Sequence, residues 1–328
     1  MNFKAGIRPL CAAAALLVVS AVSAFAEESC QLTRYAVIPY ETNETAQIYI
    51  PATLGGRSTR LLLDTGSYWS VVSDDLAKSL NLTPRPSGQV EMVDLSGAKI
   101  NTIVTVPSTT IGTLKFGASE YFVGGTAPGQ TIEQLGGLLG QNLLTRVDLE
   151  IDGAAKTISL FSQDHCPGAG VYWADEAVTL HYKRSAPTPT GSHLRGEIDK
   201  DQIDPPIVWA QLEGEDVAVL FDTGATYTSM DLDLARRRFG IHPDSPGVQP
   251  ANEAHVISGK AVQTYSYTFK TLTVGGISFE NVPARLGRFE GGAQIVLGMN
   301  ELKHLHLYFA FKEGAIYVTA ADAGRPQK

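Results

Sequence analysis

Apolar and polar residues alternate along much of this chain, in short stretches separated by turn-forming residues. Ala46 to Leu54, Lys99 to Val106, Val147 to Ile151, Thr264 to Thr273 and Leu305 to Phe309 all read this way. A two-residue period bounded by turn residues predicts strands rather than helices. Helical spacing is confined to Asp74 to Leu80, where Ser73 offers an N-cap, and to Asp231 to Phe239. The two segments run into matching tails, Leu80-Asn81-Leu82-Thr83-Pro84 and Phe239-Gly240-Ile241-His242-Pro243. The pattern therefore predicts an all-β chain with two short helices in equivalent places.

Two apolar runs end in the same triplet: Leu61-Leu62-Leu63 precedes Asp64-Thr65-Gly66-Ser67, and Val219-Leu220-Phe221 precedes Asp222-Thr223-Gly224-Ala225. The aspartates lie 158 residues apart, and 76 residues after each comes an apolar-apolar-Gly stretch, Leu138-Leu139-Gly140 and Val296-Leu297-Gly298. The same shift superposes Leu54 on Leu212, Gly56 on Gly214, Asn142 on Asn300, Leu144 on Leu302, Leu149 on Leu307 and Ile158 on Ile316. The register drifts and returns between these anchors, as surface loops of unequal length require. A long period seen twice marks a duplicated domain, not a solenoid. The expected organisation is an N-terminal lobe over 27–165, a connection over 166–206 and a C-terminal lobe over 207–320, then a tail over 321–328. Ala177 to Tyr182 is strand-like and echoes Ala36 to Tyr40, whereas the Pro- and Gly-rich stretch from Ser185 to Pro206 has no counterpart and reads as an exposed insertion.

Two carboxylates brought face to face cannot both ionise easily, so they hold one proton and one charge between them. Such a pair serves as base and acid on one water and one amide. The triplet suits the task. A buried strand fixes the Asp backbone, and Gly permits the close approach of a second loop. The Thr hydroxyl donates and accepts, so it can tie one loop to the other. Ser67 is expected to donate to the outer carboxylate oxygen and hold its orientation.

With all four motifs in this order, the chain resembles the pepsin/retropepsin-like aspartic proteases, in a single-chain, two-lobed, retroviral-like bacterial form. The resemblance spans nearly all of Ala36 to Thr319. It implies a bilobal acid-protease fold, two homologous β-barrel-like lobes with the active site in the cleft between them. It also implies Asp64 and Asp222 as the catalytic pair, with Thr65 and Thr223 interlocking the active loops and Gly66, Ser67, Gly224 and Ala225 supporting them. The two apolar-apolar-Gly stretches would pass beneath those loops. Two departures stand out. Ala225 lacks the hydroxyl of Ser67, which predicts an asymmetric dyad. The region from Val90 to Ile103 has Ser96-Gly97 at its tip and no Tyr, and Ser258-Gly259 matches it in the second repeat. Two flaps are expected, although a bare hairpin turn has the same composition.

Residues 1–26 read as an export signal: Lys4 and Arg8, an apolar stretch from Leu10 to Val22, then Ala24-Phe25-Ala26. The stretch is short and rich in Ala and Ser for a permanent membrane span. A periplasmic or secreted protein follows, without stable membrane insertion after cleavage and without a long inhibitory pro-segment. Losing Lys4 and Arg8 moves the formal charge from −8 to about −10, which disfavours nucleic acid as a partner. Only Cys30 and Cys166 remain, bracketing the first repeat, and in an oxidising compartment they are expected to form a disulfide. Two buried free thiols are the alternative.

Weaker signals are set aside. Ser96-Gly97-Ala98-Lys99 fits the Ser-x-x-Lys pattern but lacks its companion motifs. His304 and His306 would share one strand face without a cluster of further ligands, and Arg236-Arg237-Arg238 reads as a solvated helix face. The expected function is an exported aspartic endopeptidase acting on extended polypeptide, with no cofactor, no metal and no need of a homodimer. The alternative is a catalytically silent peptide-binding protein with the same fold.

Overall fold

The computed structural model describes residues 32–44, 46–88, 90–125, 131, 133–165, 170–182, 205–289 and 295–323. The leader, Cys30, Cys166, most of the insertion and the end of the tail lie outside them. Among the described residues, no helix is long and apolar enough to cross a membrane.

Strands dominate, in three main sheets. The first repeat builds a ten-stranded sheet around the hairpin Ile48–Leu54 and Arg57–Leu63, whose inward residues Ile48, Ile50, Leu61 and Leu63 are fully buried. The second repeat builds a seven-stranded sheet on the equivalent hairpin Ile207–Leu212 and Glu215–Phe221. That sheet closes, because Gln211 and Leu212 also pair with Thr273 and Leu272 of the long strand Ala261–Val274. The first lobe closes less completely. Its equivalent of the long strand is divided into Thr102–Val106 and Thr109–Ile111, which pair with Ser119–Gly124 and Ile48–Leu54 respectively. Pro107 lies at the break, and a residue without a backbone N–H cannot continue a ladder.

The third sheet joins the lobes. Arg34–Pro39, Thr157–Phe161 and Asp148–Asp152 from one repeat meet Leu305–Ala310, Ala315–Ala320 and Val178–His181 from the other. Asp148–Asp152 and Leu305–Ala310 pair antiparallel at its centre, with Ile151 opposite Leu307. Val178–His181 thus takes the outer position on its side that Arg34–Pro39 takes on the other. Such a six-stranded platform fixes one lobe against its twin.

The two predicted helices form at Asp74–Ser79 and Leu232–Phe239. Ser73 caps the first by accepting from Leu76 N, and Asp231 caps the second by accepting from Asp233 N and Leu234 N. Both satisfy amides that the first turn leaves unpartnered.

Candidate active site

Strands Arg57–Leu63 and Glu215–Phe221 deliver Asp64 and Asp222 to the junction of the lobes. Each is fixed from its own lobe. Leu139 O accepts from Asp64 N and Leu297 O from Asp222 N, both at 3.0 Å. Gly137–Leu139 and Ile295–Leu297 run parallel to the delivering strands. The backbone then passes tightly beneath each loop. A Cβ on Gly140 would sit 2.5 Å from the Trp69 carbonyl carbon, and one on Gly298 would sit 2.6 Å from that of Tyr227. Gln141 N donates to Ser67 O and Asn142 N to Tyr68 O, while Met299 N donates to Ala225 O and Asn300 N to Thr226 O.

The two loops grip each other through their threonines, both fully buried. Thr65 Oγ1 donates to Phe221 O at 2.7 Å and accepts from Thr223 N at 3.1 Å. Thr223 Oγ1 returns the arrangement, donating to Leu63 O at 2.7 Å and accepting from Thr65 N at 3.1 Å. Four hydrogen bonds therefore cross the pseudo-twofold. Gln47 adds a fifth crossing, its Nε2 donating to Gly224 O. So held, each glycine backbone lies against the other lobe's carboxylate. A Cβ on Gly66 would stand 2.4 Å from Asp222 Cγ, and one on Gly224 would stand 2.4 Å from Asp64 Cγ. Only glycine leaves room for the carboxylates to meet.

Asp64 and Asp222 thus lie close enough for each to perturb the titration of the other. Burial raises the pKa of both. For Asp64 the neighbouring charge of Asp222 adds to burial and takes it well above the ordinary carboxylate range. Hydrogen bonds from backbone amides oppose the rise without cancelling it. The pair thus holds a proton in a range where isolated carboxyls are ionised, and it titrates as a unit.

The expected role of the Ser67 hydroxyl is corrected. Ser67 Oγ donates to Trp69 O at 2.8 Å and so stays within its own loop. The carboxylates are oriented by backbone amides: Asp64 Oδ1 accepts from Gly66 N and Ser67 N, and Asp222 Oδ1 from Gly224 N and Ala225 N. A serine-for-alanine difference therefore leaves these contacts intact. The two carboxyls nonetheless differ: Asp64 is 8 % exposed and feels the charge of its neighbour in addition to burial, while Asp222 is half-buried.

Ser96-Gly97 and Ser258-Gly259 both lie at hairpin turns. Met92–Val93 pairs with Lys99–Ile100 around the first, and Gln249–His255 pairs with Ala261–Val274 around the second. Their tips are joined by Asp94, a buried residue that the sequence reading passed over. Its Oδ1 accepts from Ser96 N, Ser96 Oγ and Ala98 N, and its Oδ2 accepts from Ser258 N of the opposite hairpin at 3.0 Å. Burial disfavours the charge, but the hydrogen bonds from Ser258 and Ser96 outweigh it and hold the pKa below the usual value. Ile257 continues the crossing. Its side chain packs on the first lobe's cluster of Trp69, Val71 and Phe122, and its carbonyl accepts from Gly125 N.

Other supporting groups were also passed over. Gln141 Nε2 donates to Thr65 O at 2.7 Å. Ser70 Oγ accepts from Gly140 N, and Thr228 Oγ1 from Gly298 N. Ser70 and Thr228 are 158 residues apart, so the repeat itself carried that signal. The signals set aside fare differently. Lys99 Nζ pairs with half-buried Glu91, and Ser96 Oγ is taken by Asp94. His304 precedes its strand and is exposed, whereas His306 is buried, stacked on Trp173 at 3.8 Å and bonded to Glu150. The two histidines do not share an environment.

Two family models match, one per repeat. "Aspartyl protease" covers residues 50–143, which contain Asp64, and "gag-polyprotein putative aspartyl protease" covers 208–304, which contain Asp222. Among solved structures, the aspartic proteinase from Irpex lacteus is similar, with a TM-score of 0.50 and 12 % identity, over 88 % of this chain and 98 % of that one. At that identity the likeness speaks for the fold. No curated protein matches the chain.

Proposed function

Since the chain belongs to the pepsin/retropepsin-like aspartic proteases, we propose that it is an exported aspartic endopeptidase whose Asp64 and Asp222 activate water. One observation carries this reading. Two carboxyls from homologous loops, Asp64 buried and Asp222 half-buried, meet across the lobe junction with their pKa values raised, in a molecule whose two hairpins touch.

The steps follow from a dyad with one proton. The ionised carboxyl takes a proton from a water whose oxygen attacks the peptide carbonyl carbon. The protonated carboxyl gives its proton to the carbonyl oxygen, forming a neutral tetrahedral diol. As the diol collapses, one of its hydroxyl protons returns to the dyad, the C–N bond breaks and the amine nitrogen takes a proton from the dyad. One water is consumed and the dyad again holds one proton. Oδ1 of each Asp, fixed by two amides, keeps both carboxyls in place throughout. That preorganisation costs nothing at the moment of reaction. The hairpins exclude water and offer strand edges to an extended polypeptide. One chain supplies both carboxyls. Export to the periplasm or the medium rests on residues 1–26.

Digestion of a peptide library from acidic to neutral pH, with and without a transition-state-mimicking aspartic protease inhibitor, tests this. Inhibitor-sensitive cleavage is expected. Stoichiometric peptide binding without cleavage at any pH would replace the protease by a peptide-binding module.

A further inference from the structure

The surroundings of the two active loops are built on one plan but differ in charge. Five residues after Asp64 stands Trp69, and seven after it stands Val71, in parallel register with Phe122. Trp69 and Phe122 pack edge to face at 5.6 Å in a cluster with Leu138, Met92 and the opposite hairpin's Ile257. This half is apolar. Five residues after Asp222 stands Tyr227, and seven after it stands Ser229, in the same parallel register with Arg285. The pseudo-twofold thus sets Tyr227 on Trp69 and Arg285 on Phe122. Leu220, Val296 and Ala225 make an apolar patch at the active loop of this second half.

Among the described residues, no partner satisfies the charge of Arg285. Its guanidinium lies over the Tyr227 ring at 4.3 Å, and among the described residues no carboxylate pairs with it and no acceptor takes its N–H groups. The flanking residues Ala284 and Leu286 are buried in the lobe core, so the half-buried Arg285 occupies the opposite face of its strand. A guanidinium stacked on one face keeps its edge donors free, and those donors match a carboxylate two at a time. The chain as a whole is acidic, at −8, so any attraction for an acidic side chain here must be local.

Deepening the protease reading, and resting on it, we infer that Arg285 is a specificity-determining residue. It selects an Asp or Glu side chain of the substrate on the Asp222 side of the cleft, while the Asp64 side takes an apolar one. The test compares the unaltered chain with Arg285→Gln and Arg285→Glu on a C-terminally amidated peptide library, so that side chains supply the only carboxylates besides the protein's own. The unaltered chain is expected to favour Asp or Glu over Lys or Arg at one position by about tenfold, the lower end for a charge-assisted hydrogen bond. The effect should lie in KM and shrink as salt is raised. Arg285→Gln should flatten the preference and Arg285→Glu should reverse it, each read as the ratio of acidic to basic peptides cut by one and the same protein. Equal melting temperatures keep a folding defect apart.

Fluorescence anisotropy with the same peptides, in an Asp64→Asn background, reads the preference without turnover. Cleavage with no charge preference, or one that neither substitution alters, overturns the assignment of Arg285 and leaves the protease reading intact. Charge-switched binding without any cleavage does the reverse. Neither binding nor cleavage that responds to Arg285 overturns the assignment outright.

Discussion

Replacing Thr65 by Val keeps the shape of a fully buried side chain and removes one hydroxyl. That hydroxyl makes two of the four threonine bonds that cross between the active loops, at 2.7 and 3.1 Å. Without it, the Phe221 carbonyl and the Thr223 N–H lose these partners inside the protein. A buried unsatisfied group costs about 1–3 kcal/mol, so Thr65→Val should cost about 2–6 kcal/mol. That is a large share of the roughly 5–15 kcal/mol that holds a domain folded. By pseudo-symmetry Thr223→Val should cost a similar amount, since it orphans Leu63 O and Thr65 N. The two should not add. Once one hydroxyl is gone the loops part and admit water, so the double variant should fall short of the sum by about 0.5–3 kcal/mol. Guanidinium unfolding of the four proteins in the cycle measures this directly, read from midpoints at constant slope. A single-variant cost below about 0.5 kcal/mol, or two costs that simply add, would refute the reading of the loops as one interlocked unit.

Three further predictions concern charge and orientation. The carboxyls of Asp64, Asp222 and Asp148 all have raised pKa values, Asp148 to about 7, with burial as the first cause. In each case the unfolded chain binds fewer protons above its ordinary pKa near 4, so stability should fall as pH rises from about 4 through 7. Asp148→Asn and Asp222→Asn should each flatten that slope in melting curves, and an unchanged slope would contradict the shifts. Asp94→Asn should weaken the tie between the hairpin tips, because an amide oxygen accepts less strongly than the carboxylate that now takes four hydrogen bonds. Its lowered pKa places the same loosening, for the unaltered chain, only below the ordinary carboxylate range. Faster amide exchange at Ser258 is the expected readout, and protection equal to the unaltered chain would count against the tie. Ser67→Ala should change neither kcat nor its pH dependence by more than about twofold, since the hydroxyl contacts Trp69 O alone. A shift in either pH limb would restore the hydroxyl to the carboxylate.

Local chemistry made much of the site legible. Ser73 and Asp231 announce their helices because capping is decided within three residues. The repeat exposes both active loops because the same packing problem is solved twice, down to Gly140 and Gly298 beneath them. Contacts that depend on side-chain direction or on the distant lobe were hidden. The Ser67 hydroxyl looked like a carboxylate partner by type, yet its rotamer turns it to a carbonyl. Asp94 sits in Asp-Leu-Ser-Gly, which reads as an ordinary turn. Only the meeting of the lobes brings its second oxygen to Ser258. The six-stranded platform was equally opaque, since all six residues of Leu305–Ala310 are buried and nothing in the strand itself says that Asp148–Asp152 lies beside it. Arg285 emerges only when the register of Ser229 is set against that of Val71.

The central claim is that Asp64 and Asp222 share the work on one water, and turnover by single Asn variants tests it most directly. A peptide cleaved by the unaltered chain should still bind Asp64→Asn and Asp222→Asn, while kcat falls at least about a hundredfold in each, the lower bound for losing a positioned acid or base. Either variant retaining full turnover, folded and binding as before, would contradict the account.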